Sequence, residues 1–275
     1  MNIYHPLDTL HVAFGTYQSQ DKDCYDSVRC AIDTGYRHID TAAYYDNEQL
    51  VGNAIKDSGA RREDLFVTTK IWNSEQGTLK AAASIESSLK KLDCGYIDLM
   101  LIHWPIPVGH EHDYQELNKQ TFEVMAQYQQ KGLIRHIGVS NFLPEHLAQI
   151  EKNTGLVPAV NQVEMHVGLL QDEIRAYCKQ KGIVVEAWRP LMRGTCDNLK
   201  LLTDLVEKYG KTATQIGLRY LLQKGVVPIP KSVHAERIRE NFAVTDFYLS
   251  DQDVQSIDSS EVIRCGSHPL HLTRS

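Results

Sequence analysis

The sequence predicts an α/β fold, a (β/α)8 barrel of the TIM type formed as a single domain over residues 1–275. Three observations predict it. Short apolar runs rich in β-branched residues recur eight times, helical periodicities lie between most of them, and 275 residues are close to the roughly 250 that one such barrel takes. Strand and helix patterns in alternation imply parallel pairing through crossovers. For eight strands the closed solution is a barrel, with a doubly wound open sheet as the alternative.

The first run is VAFGT (12–16), followed by YRHID (36–40), LFVTTK (65–70) and IDLMLIH (97–103). The second half supplies IRHIGVS (134–140), AVNQVE (159–164), IVVEAW (183–188) and VVPIPK (226–231). Between them, Ala82, Ile85, Leu89 and Leu92 share one helical face, and Ala213, Ile216, Gly217, Tyr220 and Leu221 follow the spacing of another. Pro144, just after Ser140 and Asn141, marks a helix start, and the polar stretch 108–120 reads as a loop running into a helix. No GxGxxG or GxxxxGK(S/T) string follows any strand, so a bound nucleotide is held without either of the usual phosphate-cradling loops.

Composition narrows the function. Hydrophobic residues make up 42% and charged residues 23%, which is ordinary for a globular chain. The net charge of −6 is spread without a run of five like charges, which argues against a nucleic-acid arm or a membrane-binding patch. The six cysteines and twelve histidines fall into no zinc-ligand or HExxH spacing, and HEH at 110–112 sits in a polar loop, so no metal is expected. The N-terminus has no signal-peptide pattern and no apolar run approaches the roughly 20 residues of a membrane span, which points to the cytoplasm.

The informative pattern is positional. Asp40, Lys70, His103, Ser140, Gln162, Trp188 and Lys231 each fall at or just after the C-terminal end of a predicted strand. In a barrel those ends form one rim, where barrel enzymes build their active sites. Taken singly, Asp40 reads as a helix cap, Lys70 as a solvated surface residue and His103 as a structural hydrogen-bonding group. Together they supply an acid, a base and a polarising group.

With these residues located, the sequence resembles the aldo-keto reductases. GYRHIDTAAYYDNEQLVG (35–52) is similar to that family's Asp-Thr-Ala, Tyr and Asn-Glu segment. VTTKIWN, DLMLIHWP, IGVSNF, VNQVEMH and IPKSVHAERIREN match further motifs in order, over nearly the whole chain. The resemblance implies a catalytic tetrad of Asp40, Tyr45, Lys70 and His103. It places the tyrosine one residue before the position preceding Asn-Glu, which is Tyr45, and leaves Tyr44 as a packing residue.

The implied chemistry is reduction of aldehydes and ketones by NADPH, since no side chain can donate the hydride. Tyr45 would give the proton, Lys70 would lower its pKa, Asp40 would keep Lys70 charged, and His103 would hydrogen-bond the carbonyl oxygen. Ser140, Asn141 and Gln162 would pair with the nicotinamide carboxamide while Trp188 stacks on the ring. Lys231, Ser232, Arg237 and Asn241 combine cations with hydroxyl and amide groups that suit a 2′-phosphate, and Glu240 would take the adenine amino group. Arg189, Pro190, Leu191 and Val233 complete the cofactor set. Tyr17, Trp72, His103 and Trp104 would line the substrate pocket, with the 188–197 loop and the C-terminal tail.

Arg189 departs from the family, which commonly has Ser there; in that place it would bind a phosphate oxygen or point into solvent. Ala13 stands where the family has Gly in its N-terminal Gly-x-Gly-Thr, and PLDTLH lacks an Asn-Gly turn, so an irregular barrel-bottom hairpin is expected. The tail 261–275 is short for the family, which implies an open pocket and small polar carbonyls such as 2-oxoaldehydes, keto sugars or 2,5-diketogluconate. The resemblance also implies a monomer. Two other readings are a Schiff-base barrel with Lys70 as nucleophile, and a cofactor-binding sensor with little turnover.

Overall fold

A computed structural model describes residues 3–4, 11–196, 199–260 and 262–271. Eight parallel strands pair in sequence order: β1 (Phe14–Gly15), β2 (His38–Asp40), β3 (Phe66–Ile71), β4 (Ile97–Ile102), β5 (Ile134–Ser140), β6 (Val160–Glu164), β7 (Val184–Trp188) and β8 (Val227–Ile229). The sheet closes through Ala13 N–H to Pro228 C=O and Gly15 N–H to Pro230 C=O, each 3.0 Å. The fold is therefore the (β/α)8 barrel, not the open sheet. The expected irregularity of the N-terminal hairpin at 6–11 falls almost wholly outside the described residues.

Helices cover the barrel: α1 (Asp21–Thr34), α2 (Glu48–Asp57), α3 (Thr78–Leu92), α4 (Tyr114–Gln130), α5 (Pro144–Thr154), α6 (Asp172–Lys181), α7 (Lys200–Tyr209), α8 (Ala213–Gln223), α9 (Ala235–Phe242) and α10 (Asp251–Asp258). Pro144 opens α5, as its fixed φ and missing N–H favour. Thr212 caps α8 in a box with Gln215. Among the described residues no helix is long and apolar enough to cross a membrane.

Side chains alternate across each strand, so every second residue enters the barrel. His38 and Asp40 share that phase on β2, as do Phe66, Thr68 and Lys70 on β3, and Val160, Gln162 and Glu164 on β6. Phe66, Leu99, Leu101, Val160, Val227 and Ile229 form an apolar layer inside the barrel, joined by Tyr4. A larger apolar shell fills the space between strands and helices. Within the barrel these apolar side chains are interleaved with buried polar groups, as the registers His38–Phe66, Lys70–Leu101 and Glu186–Val227 show.

Close helix packing has one strict requirement. Gly52 on α2 faces the Leu92 carbonyl at the end of α3, and a Cβ there would run into that backbone. Replacing a helical glycine by alanine ordinarily gains about 1 kcal/mol. Gly52→Ala should reverse that sign and cost about 1–3 kcal/mol through overpacking, seen as a lower urea midpoint; a raised midpoint would show that α2 and α3 are not in contact there.

Candidate active site

The floor of the C-terminal rim is an ion pair. Lys70 Nζ lies 2.6 Å from Asp40 Oδ1 and donates to the Thr41 carbonyl at 2.8 Å, and both side chains are buried. Taking two charges out of water is costly unless they pair and hydrogen-bond, which this geometry satisfies. The segment after β2 is clamped by Asn47: its Oδ1 accepts from Thr41 Oγ1 at 2.7 Å, and its Nδ2 donates to the Thr16 and Ser19 carbonyls. That clamp fixes the short 3-10 turn Ala43–Tyr45, which presents the two tyrosines.

Tyr45 leans against Tyr17 with ring centroids 5.0 Å apart, and the Lys70 ammonium sits 5.2 Å from its ring centre. Tyr44 instead stacks on Trp72 at 3.8 Å. His103 stands edge-on to Tyr45 at 5.8 Å, and among the described residues its buried Nδ1 has no partner. Burial, then the Lys70 charge, hold His103 well below its ordinary pKa, so the imidazole is neutral. The expected lowering of the Tyr45 pKa by Lys70 is overturned. Burial and the Asp40 carboxylate push the phenol well above its ordinary value.

Gln162 bridges two carboxyls. Its Nε2 donates to Asp40 Oδ2 and to Glu186 Oε2, both at 2.8 Å, and no described residue donates to its Oε1. Glu186 Oε1 accepts from Tyr4 Oη at 2.9 Å and lies 3.9 Å from His38 Nε2. Burial first, then Asp40, raise the Glu186 carboxyl to about 7. His38 is held neutral by burial and bonds Thr68 Oγ1 at 2.9 Å and His11 Nε2 at 3.0 Å.

The wall above is built by Ser140, Asn141 and Trp188. Ser140 Oγ donates to the Gln162 carbonyl at 2.7 Å, and Asn141 Nδ2 donates to the His103 carbonyl and to Ser140 Oγ. Trp188 Nε1 donates to Asn141 Oδ1 at 2.8 Å, which fixes the plane of the indole. Arg189 lines the cavity beside Trp188 and is half-buried. It adopts φ 54° and its Nη1 donates to the Cys265 carbonyl at 2.5 Å, tying down the C-terminal tail.

The C-terminal tail joins the pocket wall. Cys265 N donates to Glu164 Oε1 at 2.7 Å, Arg264 pairs with Glu164 Oε2 at 3.2 Å, and Gly266 lies so close to the Trp188 ring that a Cβ would overlap it. The short tail is thus long enough to reach the site. Glu164, His166 and Cys265 bring possible ligand atoms within 4.8 Å of one another, but Glu164 already carries the Arg264 and Cys265 contacts.

One cavity of about 940 Å³ joins these parts. It is lined by every site residue expected from the sequence except Lys70, which lies beneath it, and also by Cys265, Gly266 and Ser267. Lys231 is about two residues beyond β8, which stops at Ile229, yet it still reaches the cavity. There burial pushes its ammonium down. At the far end, Ser232 Oγ accepts from the His234 N–H at the start of α9, and Glu240 Oε1 accepts from Thr212 Oγ1 at 2.6 Å. Asn47 and Glu186 were not singled out from the sequence. The alternation on β7 that puts Glu186 in phase with Trp188 is the signal that could have found the second.

The raised Glu186 carboxyl makes a stability statement. Folding favours its neutral form, so its contribution is full below the ordinary carboxyl pKa of 4.5 and is lost as pH rises through about 7. Between about pH 5 and pH 8 the wild-type protein should lose up to about 3 kcal/mol relative to Glu186→Gln, measured by urea denaturation. Parallel pH dependence in the two proteins would show that Glu186 is ionised throughout.

A family model described as "Aldo/keto reductase family" matches residues 11–262. The chain is 46% identical over 248 residues to a glyoxal reductase of Bacillus subtilis, covering 90% of this chain and 87% of the relative. It is 40% identical over 248 residues to the methylglyoxal reductase DkgA of Escherichia coli, with the same coverages of 90% and 87%. Among solved structures, a Bombyx mori aldo-keto reductase in complex with NADP superposes with TM-score 0.82 at 37% identity, covering 90% of this chain and 87% of that one.

Proposed function

The chain belongs to the aldo/keto reductase family, and from that premise we propose that it reduces small polar aldehydes and ketones to alcohols with NADPH, Tyr45 being the proton donor. The reaction class is that of oxidoreductases acting on CH–OH donors. The observation that carries the reading is the meeting of Tyr45, the buried Lys70–Asp40 pair and a neutral His103 at the floor of one cavity.

The residues fit a nicotinamide dinucleotide by the chemistry of their donors and acceptors. Gln162 Oε1 is left without a donor among the described residues, so it suits a carboxamide N–H, and Asn141 Oδ1 and Ser140 Oγ keep a second lone pair each. The carboxamide oxygen would take the Ser140 hydroxyl or the Asn141 amide from its present partner. Trp188 offers an indole whose plane is already fixed. Lys231, Ser232, Arg237 and Asn241 form the far end of the cavity and suit a 2′-phosphate, with Glu240 beside them for the adenine amino group. When bound, the cofactor supplies the hydride to the carbonyl carbon.

The side chains then handle the oxygen. His103, neutral, donates a hydrogen bond to the carbonyl without competing as an acid. Tyr45, held protonated by burial, transfers its proton as charge builds on the oxygen, and the Lys70 ammonium stabilises the phenolate left behind. Asp40 positions that ammonium. A Schiff-base role for Lys70 is disfavoured, because the amine is buried, ion-paired and absent from the cavity lining. The aromatic mouth of Tyr17, Trp72 and Trp104, narrowed by the tail, suits compact substrates such as 2-oxoaldehydes and keto sugars, including 2,5-diketogluconate.

The test is oxidation of NADPH against NADH with glyoxal, methylglyoxal, simple aldehydes and keto sugars. Tyr45→Phe should lower kcat by about 10²-fold or more with little change in NADPH affinity, since general acid catalysis contributes about 10²–10⁴-fold. Retained turnover in that variant would remove Tyr45 from the mechanism. Arg237→Ala should weaken NADPH roughly tenfold and leave NADH nearly unchanged, measured by fluorescence titration; equal losses for both would place the 2′-phosphate elsewhere.

A further inference from the structure

The barrel interior holds one more acid than its bases balance. Below the cavity, the described groups that face Glu186 are Tyr4 from the N-terminal segment, His38 and Asp40 from β2, Thr68 and Lys70 from β3, and Gln162 from β6, while β8 presents Val227 and Ile229. His11 stands behind His38 at 3.0 Å. Lys70 is the one cation in that set, and its ammonium is committed to Asp40. Glu186 is therefore the surplus acid, joined to Asp40 by a single amide nitrogen that donates one N–H to each.

We propose that Glu186 is a positioning residue for the proton-donor site, acting through Gln162 and Asp40 so that its charge state sets the acidity of Tyr45. This rests on the reading of Tyr45 as proton donor. With Glu186 neutral, the Asp40 carboxylate that raises the Tyr45 phenol is opposed by the Lys70 ammonium paired with it, and that floor carries no net charge. With Glu186 ionised, the enclosure below Tyr45 carries one net negative charge, the phenolate is disfavoured, and proton donation slows. No proton need travel along the chain of groups. The effect is electrostatic, transmitted between buried side chains.

The same geometry explains why the bridge is an amide. A carboxylate at Gln162 would repel both acids, and a hydroxyl has one proton for two acceptors. The Tyr4 phenol supplies the other Glu186 oxygen with its donor, so loss of that hydroxyl should disfavour the ionised form.

Two measurements test this. In the cofactor-free protein, the Glu186 carboxyl is followed by carbon-13 NMR of labelled glutamate, with Glu186→Gln identifying its signal; it should titrate near neutral pH. In carbonyl reduction, wild-type kcat/KM should fall roughly threefold to tenfold through that same midpoint, and Glu186→Gln should hold the low-pH value across it with unchanged NADPH affinity. Superimposable profiles for wild type and Glu186→Gln, or a Glu186 signal titrating in the ordinary carboxylate range, would overturn the proposal. Should Glu186→Gln fail to fold, Tyr4→Phe serves in its place: the step should move to higher pH, and an unmoved midpoint would refute the coupling. Tyr45→Phe run alongside separates the two levels. If it retains turnover the proton-donor reading falls and this proposal with it, whereas a dead Tyr45→Phe with an unaltered Glu186→Gln profile removes the coupling alone.

Discussion

The Lys70–Asp40 ion pair is the constraint around which the upper barrel is arranged. An ammonium and a carboxylate buried together need a full set of hydrogen bonds to offset desolvation, and the neighbours are spent on supplying them. Thr41 gives its carbonyl to the ammonium, Gln162 gives an N–H to the carboxylate, and Asn47 holds Thr41 in place. The turn bearing Tyr45 hangs from that clamp. His103 is kept neutral by its own burial first and by the Lys70 charge second. A single pair thus decides where the tyrosine stands and adds to the burial that keeps its neighbour neutral.

Much of this was legible in the sequence because the relevant signals are local. β-branched runs located the strands, and for β2, β5, β6 and β7 the last residue matches the expected end; β3 runs one residue further and β4 stops one residue earlier. Period-two alternation then carries Asp40, Lys70, Ser140, Gln162 and Trp188 to one rim. β1 and β8 are shorter than expected, because the pairing that closes the barrel is made by few residues. What local patterns could not reveal is contact between distant segments. Tyr4 meets Glu186 across 182 positions, and Gln162 meets Asp40 across 122. The upward direction of the Tyr45 shift is hidden in the sequence for a related reason: it comes from burial and from the Asp40 carboxylate, which only the folded chain brings together.

The tail shows how a departure from a family pattern can be reread once positions are known. Arg189 was expected either at a phosphate or in solvent. Its hydrogen bond to Cys265, with the Glu164 contacts to Arg264 and Cys265, makes it one end of a fastening that brings Gly266 against Trp188. Tail length alone said little about openness, since anchoring points determine where a short segment lies.

The closing seam of the barrel has a further property. Gly15 and Ala13 donate to Pro230 and Pro228, and on the side of β8 that faces β1 these two prolines have carbonyls but no N–H groups. β8 can only accept there. If β1 peeled away, the exposed edge would present acceptors without donors, a poor template for a strand from another molecule. The barrel thus closes at its narrowest pairing along an edge that offers acceptors alone.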